Sequence, residues 1–168
     1  MENNKIAAQI QAKLISGKMD DIIAAVTLVS DKAQVDSLPL LASVYTQNND
    51  QEIKNIIRDF FNNLKYTAAV KVILEMISTE KDADTKFMLV SSAWQSGLDY
   101  SENLSLFISL LIEKDFLLAF EAFTVIESSI DFIPNEKAKI LLAEDIRKKQ
   151  KSMSEDMVKM TDDLINML

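Results

Sequence analysis

Histidine and cysteine are both absent from the 168 residues, and glycine and proline occur only twice each. The missing cysteine excludes a disulfide framework, a thiol nucleophile and every thiolate metal site. The missing histidine removes the commonest general base, the commonest metal ligand and the Ser/His triad. With Gly17 and Gly97 as the only glycines, a glycine-rich phosphate loop cannot be assembled. So few turn formers also fit poorly with an all-β chain, and helix becomes the default.

What is present is apolar and acidic. Hydrophobic residues make up 48% of the chain, too many for disorder and enough for one ordinary domain to bury a core. The 26 acidic residues outnumber the 18 basic ones, and the resulting net charge of −8 repels phosphate, so nucleic acid is not an expected partner. The start, MENNKIAAQIQAKL, has no basic segment leading into an apolar one, which predicts no secretory leader and a cytoplasmic location. The most hydrophobic region, Leu104 to Ile126, contains Glu113, Lys114, Asp115 and Glu121, and is expected to be a buried hairpin rather than a membrane span.

Periodicity organises the rest. Ile53, Ile56, Ile57, Phe60, Phe61 and Leu64 recur at helical spacing and predict one apolar face, covered by a preceding helix that carries Leu38, Leu41, Val44 and Tyr45. The same reading along the chain gives about ten helices in five antiparallel hairpins, at roughly 4–30, 36–64, 66–96, 101–128 and 135–168, and no strand. Gly17 is expected to close the first helix. Expected helix starts are Asp20 or Asp21, Asn49 with Glu52, Asp84, Asp99 with Glu102, Asp115, and Ser152 with Glu155, because a short polar side chain there accepts from free first-turn amides. Phe87, Val90 and Trp94 are expected to point inward, as are most of Phe116, Phe120, Phe123 and Phe132. On the last helix Met157, Met160, Leu164 and Met167 or Leu168 take that role.

Acidic starts at Asp20, Asp50, Asp84 and Asp115 recur about every thirty residues, a period in the solenoid range. Superposing them puts Ile23, Ile53 and Phe87 in one column and Val26, Ile56 and Val90 in another. The central unit resembles a HEAT repeat, with Pro39 in the first helix, Asn48 to Asp50 in the turn and Ile53-Lys54 opening the second helix. The tetratricopeptide pattern of Trp, Leu-Gly, Tyr, Ala and Phe does not fit. The resemblance is specific over residues 36–64 and rests on period elsewhere. It implies an all-α fold, a right-handed α-α superhelix of HEAT or armadillo type, in which stacked hairpins form a scaffold for protein partners. An irregular helical bundle is the alternative.

Little in the chain suggests catalysis. Asp20-Asp21, Asp162-Asp163 and the Glu80, Asp82, Asp84 loop read as caps and solvated turns, since neighbouring helical residues point apart and the glycine of a calcium loop is missing. Arg147, Lys148, Lys149 and Lys151 read as cations placed at a helix C-terminus. No catalytic residue, cofactor or metal is expected, and the favoured reading is a non-catalytic protein-protein interaction module. Its partner is expected to be a protein or basic peptide, because seven acids between Asp99 and Pro134 are opposed by Lys114 alone. Candidate contacts are Lys54, Arg58, Lys86 and Glu121 on the second helices, with Asp99, Glu102, Glu127 and Asp131 in the acidic stretch. The alternatives are a HEAT-like nucleic-acid enzyme or other carboxylate-based enzyme, with a pocket around Trp94, and a helical dimerisation or regulatory domain.

Overall fold

A computed structural model describes residues 2–168, with side chains from Asn4 onward; Met1, with which the leader reading begins, lies outside the described residues. Ten α-helices follow one another: α1 (Glu2–Ser16), α2 (Met19–Asp31), α3 (Leu38–Gln47), α4 (Gln51–Asn62), α5 (Ala69–Thr79), α6 (Ala83–Ser96), α7 (Leu104–Leu110), α8 (Phe116–Ser129), α9 (Glu136–Gln150) and α10 (Glu155–Met167). Short 3-10 turns at Val35–Ser37, Ser101–Asn103 and Ile130–Phe132 separate some of them, and no strand occurs among the described residues. The Leu104–Ile126 run is broken between α7 and α8, and no helix there or elsewhere among the described residues is long and apolar enough to cross a membrane.

Side-chain chemistry sets the helix ends. Gly17 and Gly97 both adopt positive φ, +68° and +67°, a conformation that costs glycine little and lets the chain leave α1 and α6 sharply. Pro39 sits in the first turn of α3, where its missing N–H costs nothing. Asp115 caps α8 as expected, accepting from the amides of Leu117 and Leu118. Several other caps differ from the expected ones. Asp50, not Asn49, caps α4 by accepting from Glu52 N, while Asn48 Oδ1 takes the amide of Asp50. Asp82, not Asp84, caps α6: one of its oxygens accepts from both the amide and the hydroxyl of Thr85, which holds its carboxyl below the ordinary value. Ser154 rather than Ser152 caps α10, and instead of opening α7 Asp99 accepts from Ser101 N while Glu102 lies within the 3-10 turn that follows. At α2 the cap position is Lys18, which makes no side-chain cap bond; Asp20 and Asp21 lie in the first turn, where Asp21 accepts from Ser16 and Lys13.

These shifts tighten the internal register. The cap positions of α2, α4, α6 and α8 fall at 18, 50, 82 and 115, nearly constant steps of about thirty-two residues. Counting from them aligns Ala25, Ile57, Leu89 and Ala122, and then Val29, Phe61, Ala93 and Ile126, all of them buried. The columns expected from the sequence are covered less evenly: Ile53 and Val90 are buried, but Ile23 is exposed, and Val26, Ile56 and Phe87 are half-buried.

Helix contacts stay close in sequence. Each of the five hairpins packs internally; α2, α4, α6, α8 and α10 lie side by side in that order, and α1, α3 and α5, then α7 and α9, do the same. The core runs along the seam between these two rows, with Ile57, Phe61, Ile73, Leu89 and Phe107 fully buried. Each such side chain contributes roughly 1.5–3 kcal/mol by leaving water.

Candidate docking surface

The outer side of the even-numbered helices carries most of the expected contact residues, and the structure gives them unequal roles. Lys54 Nζ donates to Asp84 Oδ2 at 2.6 Å and lies 4.6 Å from the Tyr45 ring centroid, while the Tyr45 hydroxyl donates to Asp84 Oδ1 at 3.4 Å. The hydrogen bond to Asp84 raises the Lys54 pKa, and burial raises that of Tyr45. Further bonds hold α6: Thr46 of α3 with Thr85 (2.8 Å), Asn62 of α4 to Gln95 (2.9 Å), and Lys65, just past α4, to the Ser96 carbonyl (2.7 Å). Lys54 therefore clasps α4 to α6 and is not a free contact. Arg58 is also half-buried and donates to Asn55 Oδ1 at 2.6 Å. Lys86 occupies the same register on α6 as Lys54 on α4, and it too is half-buried.

Between α6 and α8 the picture changes. Trp94, expected inside, is 37% exposed, and its indole N–H donates to Glu121 Oε2 at 2.6 Å. The covered side of α6 is supplied by Met88, Leu89, Val90 and Ala93, which leaves Trp94 at the outer edge of the joint. Phe116, Phe120 and Phe132, also expected mostly inside, are exposed at 44%, 41% and 49%, and Leu117 at 63%. Of the four phenylalanines only Phe123 is buried. Phe116 and Phe120 have ring centroids 6.3 Å apart, and Phe120 and Phe123 are 6.4 Å apart with nearly parallel planes. The cause lies in α8 itself: Leu118, Ala119, Ala122, Val125 and Ile126 already fill its covered side, and no helix remains to cover the rest. The outer side of α8 thus exposes Phe116, Leu117 and Phe120, and Trp94 stands at the edge of α6, tied to α8 by the Glu121 carboxylate. The sequence carried a signal for this exposure, since FLLAFEAFTVI has more apolar residues than a half-covered helix can bury.

The acidic candidates gather at helix ends. Asp99 accepts from Ser101 N at 2.8 Å just past the end of α6, Glu102 is exposed in the following turn, Glu127 is exposed in the last turn of α8, and Asp131 is exposed just after it. Asp99, Glu127 and Asp131 add to the negative, C-terminal ends of α6 and α8, whereas Glu102 stands just before the N-terminus of α7. Glu121 is the exception, half-buried in the joint with Trp94.

The remaining candidates carry ordinary structural roles. Asp21 is held below the ordinary carboxyl range by hydrogen bonds from Ser16 and then Lys13. Glu80 accepts from the amides of Lys81 and Asp82, and among the described residues no three acidic side chains converge on a possible metal position. Lys148 pairs with Asp145 at 2.8 Å in the last turns of α9. Five concavities, of about 160 to 440 Å³, lie at hairpin edges, and none of the five is lined by Trp94 or Glu121. On the last helix Met157 and Leu164 are buried as expected, Met160 is half-buried, and Met167 points out. Comparison with known proteins found no matching family model, no matching curated protein and no matching solved structure.

Proposed function

We propose that this chain is a non-catalytic docking module, an α-solenoid of five hairpins that binds a basic, amphipathic protein segment across α6 and α8. The observation that carries this reading is the set of exposed apolar side chains on the neighbouring helices α6 and α8, Phe116, Leu117 and Phe120 on α8 and Trp94 on the adjoining edge of α6, hereafter the band. Its surroundings are acidic: Glu121 lies in the band, Asp115 and Glu113 precede α8, and Glu127 follows along it. An amphipathic helix would lay its apolar side on the aromatics while its cations meet these carboxylates.

Trp94 is the only tryptophan, so its emission reports on this surface directly. Titration with a helical Leu/Lys peptide of about fifteen residues is expected to shift Trp94 fluorescence saturably, with weakening as salt rises. The Phe120→Asp variant separates docking from charge attraction alone. It adds a negative charge, so a purely electrostatic association would strengthen, whereas docking on the band must weaken about tenfold or more. Unchanged or tighter binding by Phe120→Asp would overturn the reading.

A further inference from the structure

We propose that the outer side of the last hairpin is a self-association surface, on which a second copy of this chain lays its α9 antiparallel to the first. This inference is independent of the band on α6 and α8. Glu136, Lys139, Ile140, Ala143 and Arg147 follow at helical steps along one side of α9, where together with Ile165 and Leu168 of α10 they line a shallow groove of about 160 Å³. Ile140 and its neighbour Leu141 are each 52% exposed, on a helix whose Leu142 and Ile146 are buried. The stripe thus has an acid, Glu136, at its N-terminal end, a base, Arg147, at its C-terminal end, and Ile140 and Ala143 between them, with Lys139 beside Ile140.

That order is self-complementary in one orientation only. When two such stripes meet antiparallel about a two-fold axis, Glu136 of each copy faces Arg147 of the other, and Ile140 meets the region of Ile140 and Ala143 between them. The same crossing sets the two helix dipoles head to tail, while a parallel arrangement would place like charges together. Among the described residues neither Glu136 nor Arg147 forms an ion pair within its own chain, although Lys148 and Lys159 nearby do. A fifteen-residue helix is about 22 Å long and about 10 Å wide, so α9 and α10 side by side offer roughly 450 Å² per copy. Roughly 900 Å² in total lies at the small end for a specific interface and corresponds to weak, micromolar association.

Sedimentation equilibrium of the full chain from about 1 to 300 μM tests this. The expected result is a reversible monomer–dimer equilibrium, weakened at least tenfold by either Glu136→Arg or Arg147→Glu and restored by the two together, because the swapped charges face each other again. Ile140→Asp should leave a monomer with unchanged helical circular dichroism, and Phe120→Asp should leave the dimer intact. A wild-type monomer at every concentration would overturn the proposal. So would a double variant no stronger than the singles, or loss of the dimer in Phe120→Asp.

Discussion

The joint between α4 and α6 and the joint between α6 and α8 solve one packing problem in two ways. On α4, Lys54 and Asn62 reach α6, and the buried residue beside Asn62 is the large Phe61. On α6, Trp94 reaches α8, and the residue beside it is the small, fully buried Ala93. Alanines continue on the other side of the second joint, where Ala119 and Ala122 are buried on α8. At the first joint the bulky filler is accompanied by polar bridges, Lys54 to Asp84 and Asn62 to Gln95, and α3 adds Tyr45 and Thr46 against Asp84 and Thr85 of α6. Small fillers let helices meet directly, and among the described residues the second joint has one side-chain hydrogen bond, from Trp94 to Glu121.

Exchanging the fillers should break the comparison most severely. Phe61→Ala is expected to lose about 3–5 kcal/mol through the cavity it leaves, and Ala93→Leu about 1–3 kcal/mol through overpacking, both measured by urea unfolding. Removing the α6 cap comes next: Asp82→Ala should cost about 1 kcal/mol at neutral pH. The folded-state pKa of Asp82 lies below the unfolded 3.8, so its contribution is present above that value and is lost as pH falls through the folded value. The variant should therefore lose less stability than the wild type between neutral pH and pH of about 2. Opening the clasp with Asp84→Ala should cost only about 0.5–1 kcal/mol, since the pair is partly solvated, and the additional loss on Lys54→Met in that background should be near zero.

The smallest effect would copy one joint onto the other. Leu117 stands on α8 at the register that Asp84 holds on α6, so Leu117→Asp should let Lys86 form a second clasp worth at most about 0.5 kcal/mol. The same variant should weaken peptide docking, because it removes the most exposed apolar side chain of the band. A destabilised Leu117→Asp protein would show that the two joints are not equivalent in geometry.

The helices and their number could be read from the sequence because periodicity of apolar residues is a local property, and the stripe from Ile53 to Leu64 buries Ile53, Ile57, Phe60, Phe61 and Leu64 as its spacing requires. Cap identity was legible only to within two residues at α6 and α10, because several polar residues stand close together and the choice depends on which amide each can reach. At Asp84 the deciding partners, Lys54 and Tyr45, lie thirty and thirty-nine residues away. Lys54, Arg58 and Lys86 look like free surface charges in sequence, yet each is half-buried once the helices stand side by side.

What the sequence determined by itself was the all-helical character and the lack of His and Cys side chains, both of which depend on composition and on neighbours within a few turns. Tertiary structure decided which apolar residues stay in water. A helix can hide only the sides that other helices touch, so Phe116, Leu117 and Phe120 are exposed through the absence of a covering neighbour, not through any property of their own.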